Sequence, residues 1–278
     1  MQKSERYAVF GHPIDHSKSP AIHELFAKQT EQQDFEYTAQ DVLPECFTRA
    51  VKKFFSKGGK GLNCTVPLKQ LAWELAGEKS TRAEISKAVN TLALKSDGTI
   101  VGDNTDGVGF INDLVQNLGI NLEGIKVLIL GAGGASRGIL KPLLDQYPET
   151  VVIANRTLSK AVQLEQEFQS FGPVFASRFD DLEGQAFDVI VNATAASLQG
   201  TVPPLPDNII RPSGVCYDLA YANEPTAFVV WGRQNRVAKT VDGLGMLVEQ
   251  AAEAFALWRG IRPDTRHVIA GMNAERGL

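Results

Sequence analysis

The stretch 126-KVLILGAGGASRG-138 sets a buried strand, a glycine-rich turn and a helix start directly end to end. Its apolar run suits a strand covered on both faces. Gly131 allows the tight turn, and Gly133 lets the backbone approach a pyrophosphate. The helix N-terminus beyond them offers unpaired N–H groups and a favourable dipole. Ser136 stands where GxGxxG has its third glycine, so the motif is a variant. A glycine-rich turn can exist without a ligand. Its position between strand and helix is what points to a dinucleotide.

From about residue 122 onward the same grammar repeats. VVIA (151–154), VFAS (174–177), FDVIV (187–191), VCYDL (215–219) and VAKTV (237–241) are short strand-like runs separated by loops or by helical patterns such as ASRGILKPLLDQY and SKAVQLEQEF. This predicts an α/β fold with a doubly wound parallel sheet of the Rossmann type. The proline-rich 201–212 reads as a loop inside it. An NAD site usually carries an acid at the end of the second strand, to bond the ribose 2′-OH. Here that strand ends in Asn155-Arg156-Thr157, with Lys160 one helical turn on. An arginine there can grip a 2′-phosphate through forked, charge-assisted bonds, or be an ordinary surface arginine. With the glycine loop before it, a strand end that lacks an acid and carries Arg156 favours NADP over NAD.

The first hundred residues read differently. RYAVF (6–10), FEYTAQDV (35–42) and GLNCTV (61–66) are strand-like, and PECFTRAVKKFFS (44–56) is helical. SPAIHELFAKQT (19–30) is expected to be a helix with Ser19 as N-cap and Pro20 first. The segment 89–103 holds two strands around Asp97-Gly98, a hairpin signal. Hairpins are antiparallel and β-α-β crossovers parallel, so a mixed sheet is predicted here. The amphipathic helix 245–260 comes last and could fold back on this lobe. The division expected is a substrate lobe of 1–105 plus 243–278 and a dinucleotide lobe of 106–242.

Bulk properties narrow the function. A chain of 278 residues is somewhat long for one domain, which favours two. A net charge of −4 gives no basic footprint, which argues against nucleic acid as the main partner. Apolar runs are far too short to span a membrane, and the N-terminus does not read as a secretory signal. Three widely spaced cysteines without a CxxC point to reduced thiols and a cytoplasmic protein. His12, His16, His23 and His267 form no metal pattern, so no metal site is expected. A homodimer is compatible with the sequence, but no surface stripe identifies one.

Hydride chemistry also needs a group to move a proton. In 63-NCTVPLKQ-70, Pro67 reads as the first residue of a helix, placing Lys69 in its first turn. A cation there is repelled, which favours the neutral amine. As a tolerated surface lysine it would cost only about 0.3–1 kcal/mol, so both readings stand on physics alone. Asp106, in GDNTDGVGF (102–110), starts another helix, where an acid is stabilising without any function. A carboxylate near Lys69 would hold it charged and oriented. Asp103 is a rival acid, read as a turn residue at a strand end. Ser17 and Ser19 offer two hydroxyls at a helix start, a good place for a substrate carboxylate or for a simple cap.

GHPIDHSKSP, NCTVPLK, AVNTL, GDNTDG, GAGGASRG, NRT, YDLAY and DGLGMLVEQAA follow one another as in the shikimate dehydrogenase family, which the chain resembles from about residue 7 to 260. The resemblance implies NADPH-dependent reduction of 3-dehydroshikimate to shikimate in aromatic amino-acid biosynthesis. It implies Lys69 as acid/base with Asp106 as partner, and Ser17 and Ser19 on the substrate carboxylate. Asn63, Thr65, Asn90, Tyr221 and Gln250 would complete the substrate site. Gly131, Ala132, Gly133, Gly134 and Ala135 would cradle the pyrophosphate, and Asn155, Arg156, Thr157 and Lys160 the 2′-phosphate. Thr194 would also touch the cofactor, with Leu219 and Gly243 near the nicotinamide. Family catalytic lobes use both chain ends, which suits a returning helix that carries Gln250. NATAAS (192–197) and Leu219 depart from the common pattern. The rival readings are a quinate-active or NAD-using relative, and a non-catalytic NADP-binding regulatory module.

Overall fold

A computed structural model describes residues 4–277. The chain divides into one unit of Met1–Gly109 with Leu247–Asn273 and another of Phe110–Met246 with Ala274–Leu278. Asp106 therefore belongs to the first unit.

That unit begins with β1 Glu5–Gly11, α1 Ser19–Gln29 and β2 Phe35–Asp41, then α2 Phe47–Ser56 and β3 Gly59–Cys64. Both crossovers make β1 parallel to its two neighbours. After α3 Lys69–Leu75, β4 Glu78–Lys79 and α4 Thr81–Ser86 come β5 Thr91–Leu94 and β6 Ile100–Asp103. These last two form the expected hairpin: Gly98 takes φ +89°, and Asp97 Oδ1 accepts from the Thr99 N–H at 2.9 Å. The sheet runs β2-β1-β3-β5-β6-β4 and is mixed, as predicted. Phe10, Phe47, Val51, Leu62, Leu68 and Leu92 fill its core.

Two helix starts differ from expectation. Ser19 is not the cap but the first residue of α1, and Ser17 Oγ accepts its N–H at 3.3 Å. Pro67 does not open a helix. The Leu68 N–H returns to the Thr65 carbonyl at 2.8 Å, closing a turn over 65–68, and α3 begins at Lys69 itself.

His23 on α1 is fully buried with neither ring nitrogen in a hydrogen bond. Its ring stacks 4.1 Å from Tyr37 and lies among Phe26, Phe35, Phe255 and Trp258. Burial lowers its pKa from 6.5 to about 3, with nearby Asn63 opposing. A group with a depressed folded-state pKa contributes stability that is complete above 6.5 and is lost as pH falls toward about 3. The urea midpoint should therefore fall more between about pH 7 and pH 5 in the native chain than in His23→Phe, which has no proton to gain. Equal falls would show that His23 is not held neutral.

α5 Asp106–Asn112 continues into a π-turn, Asp113–Asn117. The second unit then follows the reading of 126–138: β7 Lys126–Leu130, α6 Gly134–Leu144, β8 Thr150–Ala154, α7 Leu158–Phe168 and β9 Val174–Ser177. β10 Phe187–Asn192, β11 Ile210–Asp218, α8 Ala227–Gln234 and β12 Lys239–Val241 complete it. The six strands are all parallel, in the order β12-β11-β10-β7-β8-β9. The doubly wound reading is met, with its switch point between β7 and β10. The proline-rich loop is shorter than expected, because β11 already starts at Ile210, paired with Phe187 ahead of a register shift.

Register decides what this sheet can bind. Ala154, Leu130, Asn192 and Asp218 form one row across β8, β7, β10 and β11. The residues that follow, Asn155, Gly131, Ala193 and Leu219, therefore emerge at the same carboxyl edge.

The chain closes with α9 Leu244–Arg259 and α10 Arg266–Glu275. Val248, Ala251, Ala252 and Phe255 of α9 are fully buried, and Trp258 Nε1 donates to the Leu92 carbonyl at 3.1 Å. The helix does fold back on the first sheet. It stops at Gly260, which takes φ +70°. No helix among the described residues is long and apolar enough to cross a membrane.

Candidate active site

In the first unit, Asn63, Thr91 and Asp103 share one row across β3, β5 and β6. The segments leaving that edge converge on Asn90, which is buried. Its Nδ2 donates to Thr105 Oγ1 (2.9 Å), Asp106 Oδ1 (2.8 Å) and Gln250 Oε1 (3.2 Å). Its Oδ1 accepts from the Thr105 N–H and the Thr91 hydroxyl, both at 2.9 Å. One amide thus ties the hairpin, the start of α5 and the returning helix together.

Lys69 Nζ lies 2.5 Å from Asp106 Oδ2, with the two side chains 29% and 15% exposed. Both are reachable from solvent, yet neither is free to wander. Asp106 is held on three sides, because its N–H also donates to Asn104 Oδ1 at 3.0 Å. A lysine fixed on a carboxylate can give or take a proton at a constant position. The cation at the helix start, which the sequence left unpartnered, is thus matched by a carboxylate.

Asn63 is drawn into the same network. Its Nδ2 donates to the Asn90 carbonyl and to Thr91 Oγ1, each at 3.0 Å, and its Oδ1 accepts from the Tyr37 hydroxyl at 2.7 Å. Ser19 is buried and Ser17 half-buried, so the two expected carboxylate ligands differ in access. Thr65 is half-buried at the start of its turn. Gln250 Nε2 donates to the Leu247 carbonyl at 2.8 Å, leaving its oxygen toward Asn90.

Asp103 is not the turn residue the sequence suggested. It is buried and takes Arg82 Nε at 2.7 Å and Nη2 at 2.5 Å. Burial alone would raise its pKa, but the bonds from Arg82 and Ser80 outweigh that and hold it below the usual carboxylate value. Arg82 also reaches Glu253 of α9 at 3.1 Å. The rival acid is thereby committed to structure, three residues before the one that meets Lys69. Sequence reading missed Tyr37, Arg82, Asn104 and Thr105. Asn104 and Thr105 stood inside a motif already singled out, whereas nothing local marked Tyr37 or Arg82.

The second unit carries the dinucleotide candidates. Gly131 has φ +102°, a conformation that a side chain would strain. Its carbonyl accepts the hydroxyl of fully buried Ser136 at 2.7 Å. The serine in place of the third glycine thus locks the turn it was expected only to vary. Gly133 caps α6 without a side-chain hydrogen bond. A Cβ placed on Gly133 or Gly134 would meet open space, so the turn presents bare backbone and helix N–H groups to a ligand. These features fit a dinucleotide pyrophosphate.

At the end of β8, Asn155 Nδ2 donates to the Thr157 carbonyl at 2.8 Å and shapes the turn. Arg156, Thr157 and Lys160 are exposed, and no acid follows the strand. Thr194, Leu219 and Tyr221 are half-buried and Gly243 is buried, all in this unit. Tyr221, expected with the substrate residues, belongs to the second unit, whereas Asn90 belongs to the first.

Sequence models of three segments match this chain. They are described as shikimate dehydrogenase substrate binding domain (residues 9–92), shikimate/quinate 5-dehydrogenase (113–200) and shikimate 5′-dehydrogenase C-terminal domain (243–270). The chain is similar to a shikimate dehydrogenase (NADP(+)) of Methylococcus capsulatus, 60% identical over 276 residues and covering 99% of each chain. It is 53% identical over 272 residues to that of Cellvibrio japonicus, with 98% of each covered. Among solved structures it resembles shikimate 5-dehydrogenase from Thermus thermophilus, crystallised with NADP(H) and shikimate. The TM-score is 0.85 at 33% identity, covering 99% of this chain and 100% of that one.

Proposed function

Because this chain belongs to the shikimate dehydrogenase family, we propose that it catalyses the reversible, NADPH-dependent reduction of 3-dehydroshikimate to shikimate in aromatic amino-acid biosynthesis. The observation that carries the mechanism is the 2.5 Å contact between Lys69 and Asp106, fixed by Asn90. When bound, NADPH supplies hydride from nicotinamide C4 to the substrate carbonyl carbon. Lys69 delivers the proton to the carbonyl oxygen as it gains negative charge, and recovers it in the reverse direction. Asp106 orients the amine and balances its charge.

Ser17 and Ser19 hold the substrate carboxylate, and Asn63, Thr65, Asn90, Tyr221 and Gln250 read its hydroxyls and carbonyl. The Asn90 amide is already tied on both sides, so it keeps its orientation without a ligand. Gly131 to Ala135 cradle the pyrophosphate, Asn155 to Lys160 the 2′-phosphate, and Thr194, Leu219 and Gly243 the rest of the cofactor. The three cysteines are free thiols, which supports a cytoplasmic setting.

The test mixes protein, NADPH and 3-dehydroshikimate and follows nicotinamide absorbance. Oxidation of NADPH that depends on the substrate supports the reading. A folded protein that leaves NADPH unchanged overturns it. Running shikimate against quinate, and NADP⁺ against NAD⁺, in the reverse direction measures how narrow the activity is.

A further inference from the structure

Four donors converge on one carboxylate at the carboxyl edge of the second sheet, and no step of the proposed reaction uses it. Asp218 ends β11 and is fully buried. Its Oδ2 accepts from the hydroxyls of Ser197 at 2.5 Å and Thr226 at 2.7 Å. Its Oδ1 accepts from the Ala220 N–H at 3.1 Å and Asn192 Nδ2 at 3.2 Å. Among the described residues no lysine, arginine or histidine bridges it. Burial raises its pKa, against the lowering effect of those four bonds. As a core residue alone, an apolar side chain would serve better than a buried carboxylate without a cation.

What the carboxylate provides is reach. Ser197 lies in the loop after β10, Thr226 caps α8, and Ala220 begins the turn after β11. The partner Asn192 passes the restraint on, because its Oδ1 accepts from the Thr194 N–H at 3.2 Å and from the Thr194 hydroxyl at 2.7 Å. Thr194 and Ala193 back the glycine turn closely: a Cβ on Gly131 would lie 3.0 Å from Thr194 Cγ2 and 3.2 Å from the Ala193 oxygen. On the other side, the Ala220 carbonyl accepts from the Gly243 N–H at 3.0 Å. A Cβ on Gly243 would strike the Leu219 carbonyl oxygen at 2.4 Å, so these two backbones must stay in contact. Thr194, Leu219 and Gly243 all depend on this one group. Asn155, Arg156 and Lys160, at the end of β8 and beyond, make no bond to it.

Resting on the NADP reading above, we infer that Asp218 is a positioning residue for the nicotinamide end of the dinucleotide site, fixing Thr194, Leu219 and Gly243 without itself meeting the ligand. The segment 192–197 supplies two of its tethers through Asn192 and Ser197.

Two ligands separate the ends of the site. NADP⁺ engages both, whereas adenosine 2′,5′-bisphosphate engages only the 2′-phosphate end. Asp218→Ala and Ser197→Ala should weaken NADP⁺ binding by about tenfold and raise the KM for NADPH, while the bisphosphate Kd stays within about twofold. Asp218→Asn should recover most of the loss. Its amide can donate to the Ser197 and Thr226 hydroxyls and keep an oxygen toward Ala220 and Asn192. Equal weakening of both ligands, or no weakening of either, overturns the inference. If Asp218→Ala does not fold, Ser197→Ala decides the matter, since its hydroxyl sits in a half-buried loop. A native chain that binds neither ligand overturns the cofactor reading and this inference with it. A native chain that binds both, with variants that bind NADP⁺ unchanged, overturns the inference alone.

Discussion

Lys69→Ala should lower kcat for 3-dehydroshikimate reduction by about 10²–10⁴-fold, with KM for both substrates little changed. The loss falls on kcat because the ammonium acts on charge that develops as the carbonyl oxygen becomes an alcohol, not on the ground state. Structure should survive the change. The Lys69 backbone carbonyl accepts the Val89 N–H, a bond that alanine keeps. The neighbours that pack α3 into the core are Leu68 and Ala72. Asp106 would still hold the Asn90 amide and the Asn104 oxygen. Steady-state kinetics on the folded variant check the prediction, and normal turnover would remove Lys69 from the mechanism. A second measurement tests the pairing. If Lys69 and Asp106 work as one unit, the double variant should lose about as much as the worse single one. Fully multiplied losses would mean that the two act separately.

Arg156→Ala should reduce kcat/KM with NADPH by about 10²-fold and leave the value with NADH nearly unchanged. Two charge-assisted bonds to a 2′-phosphate account for a loss of that size, and NADH carries no phosphate to lose them. Arg156 is exposed at a strand end, so its removal disturbs no packing. Lys160, a point charge without the fork, should contribute less on its own. An equal fall with both cofactors would show that Arg156 supports the turn rather than reads the phosphate.

The dinucleotide unit was legible because its signals are local. A buried strand, a glycine turn and a helix start are adjacent in the chain at 126–138, and each later strand announces itself by its own few residues. The same holds for the Asp97-Gly98 hairpin and for the returning helix that ends at Gly260. Helix starts were read less well. Whether Ser17 or Ser19 answers the first N–H of α1, and whether 65–68 closes as a turn, depends on backbone geometry that neighbouring residue types leave open.

By itself the sequence determined the two kinds of sheet, the glycine-rich turn between strand and helix, the absence of an acid after β8, and a short roster of chemically able residues. Tertiary structure decided what those residues do to one another. Asp103 and Asp106 look alike in sequence, yet one is closed off by Arg82 and the other meets Lys69. Asn90 reaches Gln250 across 160 residues, and Tyr37 reaches Asn63 across 26. Helical and strand propensities act over a few neighbours along the chain. Hydrogen bonds and ion pairs act over about three ångströms of space, and only the folded sheet register brings such distant partners within that reach.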